Sequence, residues 1–120
     1  MGDPSPIDSY HAHVYFDADT RDTAKRVREA IKKRFNVEMG RWHEKIVGPH
    51  PFWSYQIAFQ PAVLDKLVPW LMINREGLKI FLHPNTGDEI ADHTDHAAWL
   101  GPSEDINIEF FMKYTGSEGD

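Results

Sequence analysis

The sequence predicts an α+β domain in which two helices cover one face of an antiparallel sheet. Three observations carry this expectation. Residues 10–16 alternate strictly between apolar and chemical side chains; two segments carry apolar residues at helical spacing; and the extended segments fall around them in the order strand, helix, strand, strand, helix, strand.

In the first strand Ala12, Val14 and Phe16 point one way, and His11, His13 and Tyr15 the other. Asp19 or Thr20 is placed to cap a helix whose apolar positions Ala24, Val27, Ile31 and Phe35 recur at helical spacing. Its basic residues Arg26, Arg28, Lys32, Lys33 and Arg34 suit a solvated face and a C-terminal dipole end. Residues 37–47 read as a second extended stretch, broken by Gly48-Pro49-His50-Pro51, and 52–59 as a third strand. Pro61 suits the first turn of a second helix with Val63, Leu64, Leu67, Leu71 and Met72 on its buried side. Pro69 predicts a kink or restart within that helix, and Gly77 its end. Residues 78–83 form the fourth strand, and the alternation of 106–112 predicts a fifth, at an edge. This order is that of a ferredoxin-like βαββαβ sandwich with an extra C-terminal strand. The expected layout is a flexible N-terminal segment over 1–9, one domain over 10–114 and a loose tail over 115–120.

Composition narrows the function classes. A formal charge of -6 argues against nucleic acid, which needs clustered Lys and Arg. Cysteine is absent, so disulfides, thiolate metal sites and thiol catalysis are all excluded, and any metal must be held by imidazole and oxygen. With neither an apolar run of membrane-spanning length nor a signal-peptide core, the expectation is a soluble, cytoplasmic protein.

Seven histidines in 120 residues are the chemical signature. An imidazole packs poorly but holds divalent metals and moves protons near neutral pH. His11-Ala12-His13 on a strand sets two imidazoles on one side, about 6.5–7 Å apart along the chain. Alone it is as readily two solvated histidines at a sheet end. In the predicted topology the first strand runs antiparallel beside the fourth, which brings His83 to the same helix-free face and favours a site. Three histidines, or two with a carboxylate such as Asp92 or Glu109, would suit non-haem Fe(II), Zn or Mn. His50 stands in a rigid turn expected at the opposite end of the sheet from His83, able to reach the site only on a long hairpin arm or from a partner. Asp92-His93-Thr94-Asp95-His96 is equally a carboxylate and proton-shuttle segment or a polar helix cap. Arg41 and Arg75 are candidates for a substrate carboxylate, Arg75 being as well placed to cap a helix. An open face bearing Tyr15 and part of the set Trp42, Trp53, Tyr55 and Phe81 calls for cover, most simply by a second subunit, so a homodimer is expected.

Taken together, Tyr10-His11-Ala12-His13-Val14-Tyr15-Phe16, Gly48-Pro49-His50-Pro51, Pro69-Trp70-Leu71 with Asn74-Arg75, and His83-Pro84-Asn85-Thr86-Gly87-Asp88 through Asp92-His93 to Trp99-Leu100-Gly101 resemble the DOPA 4,5-dioxygenase family. The resemblance runs in order from about residue 10 to 101. It implies a ferredoxin-like fold in a dimeric α/β barrel-type assembly, and extradiol cleavage of a catechol by O2 at non-haem Fe(II). The chemistry suits the residues, since such a reaction needs a ferrous ion with open positions and a nearby acid/base. The expected ligands are His11, His13 and His83, with His50 or His93 transferring protons and Tyr15, Trp53 and Tyr55 as ring walls. Two other readings remain: another metal-dependent enzyme, such as a zinc hydrolase or isomerase on the same scaffold, and a non-catalytic aromatic-ligand-binding protein.

Overall fold

The computed structural model describes residues 2–3 and 7–112; the expected loose tail at 115–120 and part of the expected flexible start lie outside the described residues. The elements are β1 (Ser9–Phe16), α1 (Arg21–Arg34), β2 (Glu38–Met39), β3 (Trp53–Phe59), α2 (Pro61–Asn74), β4 (Lys79–Asn85), α3 (Glu89–Asp92) and β5 (Ala98–Leu100). They build one five-stranded antiparallel sheet in the order β2-β3-β1-β4-β5. The alternation of β1 sends Ala12, Val14 and Phe16 into a core with Ala24, Val27 and Ile31 of α1 and Leu67 and Leu71 of α2, so both helices cover one face. Ile31, Ile57, Leu67, Leu71 and Ile80 are fully buried, each contributing about 1.5–3 kcal/mol.

Local chemistry explains the ends. Asp17 Oδ1 accepts from the backbone N–H groups of Asp19 and Thr20 and shapes the turn into α1, where Thr20 takes the N-cap position without a side-chain cap bond. Pro61 opens α2, which continues as one helix through Pro69 to Asn74, so the alternative of a restart at Pro69 does not occur. The buried stripe of α2 is Leu67 and Leu71; Met72, one position further round, is 59% exposed and does not join it. Glu76 and Gly77, with φ of 50° and 81°, turn the chain into β4.

Two expectations about strands are corrected. The extended stretch at 37–47 pairs regularly only at Glu38–Met39; after a single bridge between His43 and Ser54 the chain becomes a long arm, 40–52, that leaves the sheet. The fifth strand is Ala98–Leu100, whereas 109–112 is a helical turn in which the Phe111 and Met112 N–H groups donate to the Ile108 carbonyl. Ile108 and Phe111 recur at a spacing of three, and an alternation of two in so short a stretch does not separate the periods.

Candidate metal centre

The helix-free face of the sheet is organised in cross-strand rows. His11 lies directly opposite His83, and His13 opposite Phe81, because β1 and β4 pair antiparallel in that register. Residues opposite one another point to the same face, so two ligand candidates come from β1 and a third from its neighbour. One ring nitrogen from each of His11, His13 and His83 lies within 4.8 Å of the others. His13 Nε2 and His83 Nε2 are 3.1 Å apart. That spacing fits two imidazoles bound side by side on one ion, since metal–nitrogen bonds of about 2.1 Å at a right angle place the nitrogens about 3 Å apart. His83 also has its other nitrogen occupied: Nδ1–H donates to the Pro84 carbonyl at 2.9 Å, which leaves the Nε2 lone pair facing the cluster. The residues present therefore fit a divalent metal.

Two further imidazoles close the cluster. The arm folds back over the sheet and lays the His50 ring 4.1 Å from that of His13, while Tyr15 Oη and His50 Nδ1 are 2.7 Å apart. His93, at the end of α3, stands 4.0 Å ring to ring from His83, its Nδ1–H donating to the Glu89 carbonyl at 2.7 Å. His50 thus reaches the site within one chain, on the long arm. Anchors outside the site hold that arm: Glu44 accepts from the Trp42 indole and the Arg21 guanidinium, each at 2.7 Å, and the Pro49 carbonyl accepts from the Asn107 N–H at 2.9 Å.

His13, His50, His83 and His93 are each less than a tenth exposed. Burial drives His13 well below the usual imidazole range, with further depression from the neighbouring imidazoles, His50 first. Burial likewise takes His50 and His83 down to about 4, and lowers His11. All four are therefore neutral at pH 7, the form that donates lone pairs to a cation. Burial raises the Tyr15 phenol above its ordinary value, so it stays protonated and can donate to His50 Nδ1, leaving His50 Nε2 as an N–H donor.

Not every residue singled out in the sequence comes to this place. Tyr55 is fully buried on the helix side, where its hydroxyl donates to the Ala24 carbonyl, and Trp53 packs edge-on against Phe16 on the same side; neither faces the histidines. Arg75 braces the turn after α2 by donating to the Leu78 carbonyl, and Arg41 lies exposed on the arm. Asp92, 1% exposed, is taken up by Thr86, from whose N–H and hydroxyl it accepts at 2.8 and 2.7 Å, and by His96. No carboxylate belongs to a metal-holding group among the described residues. The aromatic walls are instead Phe81, Trp99, Phe52 and Phe111: Trp99 lies tilted against Phe81 at 4.7 Å, Phe52 against Tyr15 at 5.7 Å, and Phe111 against His93 at 4.3 Å. Phe81 was legible from its period-2 position between Lys79 and His83. Nothing local in the sequence marks Phe111.

The sequence profile of the Dopa 4,5-dioxygenase family matches residues 10–110. An uncharacterised 21.2 kDa protein of Botryotinia fuckeliana is 34% identical over 90% of this chain and 68% of its own length. A protein of Amanita muscaria named DOPA 4,5-dioxygenase is 32% identical over 87% of this chain, which spans only 50% of that protein. A crystal structure of a Nostoc punctiforme PCC 73102 protein, provisionally described as a dioxygenase, superposes with a TM-score of 0.94 at 53% identity, covering 95% of this chain and 99% of that one. With its family profile matched across most of its length, this protein belongs to the Dopa 4,5-dioxygenase family.

Proposed function

We propose that this protein is an extradiol dioxygenase that opens the ring of a small catechol with O2 at a non-haem Fe(II) held by His11, His13 and His83. The observation that carries the reading is the meeting of those three neutral imidazoles from two adjacent strands, with two further imidazoles against them. Three neutral ligands leave coordination positions for both substrate and O2. The metal, when bound, would bring catechol and O2 together and pass electrons between them.

The chain's own residues supply the rest. Tyr15 holds the His50 ring through Nδ1 and leaves its Nε2–H free to donate to a catechol oxygen. His93, tied at Nδ1 to the Glu89 carbonyl, presents its other nitrogen beside His83 and is the second proton-transfer candidate. Trp99 offers apolar surface for the substrate ring, and the fully buried Phe81 packed against it backs that wall. The strand order β2-β3-β1-β4 fits the ferredoxin-like class, and a second copy of the chain covering what remains open of the helix-free face fits the expected homodimer. No helix among the described residues is long and apolar enough to cross a membrane, which fits the proposed cytoplasmic location.

The test is oxygen uptake and absorbance with Fe(II)-loaded protein and L-DOPA, caffeate, protocatechuate and dopamine. The expected result is a yellow semialdehyde formed with one O2 consumed per catechol. Failure of all four catechols to drive uptake would overturn the assignment. Metal analysis of protein purified without added metal, followed by anaerobic Fe(II) reconstitution, separates this reading from a zinc hydrolase.

A further inference from the structure

The row of the sheet that carries His83 and His11 does not stop at β1. His11 lies opposite Ala58 of β3, and Ala58 opposite Glu38 of β2, so the register reads His83, His11, Ala58, Glu38 across four adjacent strands. Cross-strand partners share a face, which puts the Glu38 side chain on the same side of the sheet as the two histidines. At about 4.8 Å per strand, its backbone lies about 10 Å from that of His11. Between them Ala58 offers only a methyl group. The space so left is a cleft of about 320 Å³ that opens onto His11, with Ser9, Asn36 and Gln60 around it.

The lining of that cleft is one-sided in charge. Among the described residues it contains no Lys or Arg, and its only carboxylate is that of Glu38. None of the ion pairs among the described residues uses Glu38. The neighbouring amides and hydroxyl of Asn36, Gln60 and Ser9 accept as well as donate hydrogen bonds. A substrate whose ring docks on the metal side of His11 has its tail directed along the row toward an uncommitted anion.

We propose that Glu38 is a specificity-determining residue and that the cleft selects catechols with a cationic, ammonium-bearing tail over those with a carboxylate tail. This rests on the catechol reading above. An exposed carboxylate acts through a partly screened field, so the discrimination is modest: about threefold to fivefold between an ammonium and a neutral tail, with a similar penalty for a carboxylate.

Binding measures this without turnover. Titration calorimetry of anaerobic Fe(II)-loaded protein with dopamine, 4-ethylcatechol and 3,4-dihydroxyphenylacetate should rank them in that order, tightest first, with the spread shrinking as salt is raised. Glu38→Gln should bring dopamine to within twofold of 4-ethylcatechol while leaving 4-ethylcatechol itself unchanged, and Glu38→Lys should reverse the order. Equal binding of all three, or a dopamine preference that survives in Glu38→Gln, would overturn the role of Glu38 and leave the ring-cleavage reading standing. Failure of all three to bind would remove both.

Discussion

The packing of neutral imidazoles makes the metal-free protein sensitive to mild acid in a specific pH window. His50 and His83 have folded pKa values of about 4 against 6.5 when solvated, because burial opposes their charge. The unfolded chain therefore takes up protons below pH 6.5 that the folded chain refuses, and stability falls as pH falls. The stability is complete above pH 6.5 and is lost progressively down to pH 4, below which both states are protonated. Between pH 7 and pH 5 each of these two imidazoles costs about 2 kcal/mol, or about 4 kcal/mol together, a large share of the roughly 5–15 kcal/mol of a small domain. Carboxylates held below their usual range, such as Asp92, where the Thr86 bonds outweigh burial, titrate below this window. Urea unfolding of chelator-treated protein at pH 7, 6 and 5 reads the effect directly as a falling midpoint at constant slope. His13 and His11, also lowered by burial, add to the same dependence, so His50→Gln, which removes one titrating ring, should reduce the loss between pH 7 and pH 5 by about 2 kcal/mol. A midpoint unchanged from pH 7 to pH 5, or a pH dependence of the midpoint unaltered in His50→Gln, would refute the reasoning.

His13→Ala and His83→Ala should each lose bound metal and turnover together, read by metal analysis and oxygen uptake, whereas His50→Ala should keep metal at full stoichiometry and lose about 100-fold or more in kcat. Tyr15→Phe keeps the ring but deletes the bond to His50; kcat should drop about tenfold with metal content retained, and the buried His50 Nδ1 left without its partner should cost about 1–3 kcal/mol of stability. Asp92→Ala leaves the half-buried Thr86 N–H and hydroxyl without their acceptor, and chemical unfolding should show a loss of about 1–3 kcal/mol.

Where a segment obeys one period over its whole length, the sequence was readable. The alternation of β1 and the stripe of α1 gave both the sheet face and the helix that covers it, and with the element order they brought His83 opposite His11. The same rule, carried through β3, would have placed Tyr55 correctly. Trp53, Tyr55, Ile57 and Phe59 share one phase while Ser54, Gln56 and Ala58 share the other, so the aromatic hydroxyl belongs in the core with Ile57, as found. The arm was not readable, because 40–52 has no period: its path is set by the Trp42–Glu44–Arg21 contacts and by Asn107 bonding to Pro49, which join residues far apart in the chain. That is why the place of His50 stayed open between this chain and a partner. Phe111 depends on the same long-range closure and on a helical turn too short to declare its spacing.

The two kinds of histidine stand on supports of different stiffness. His11 and His13 sit on β1, which is hydrogen-bonded on both sides by β3 and β4, and His83 sits on β4 between β1 and β5. Their backbone positions are fixed by ladders that cannot slip without turning every core residue outward. His50 and His93 sit instead on the arm and on a four-residue helix, held by a few side-chain and loop contacts. A metal ligand needs its geometry held to a fraction of an ångström, whereas a proton donor must approach and withdraw as the substrate's charge changes. Under the proposed roles, each imidazole stands on the support its task requires. It also follows that loosening the arm, for example at Glu44, would slow proton transfer before it weakened the hold on the metal.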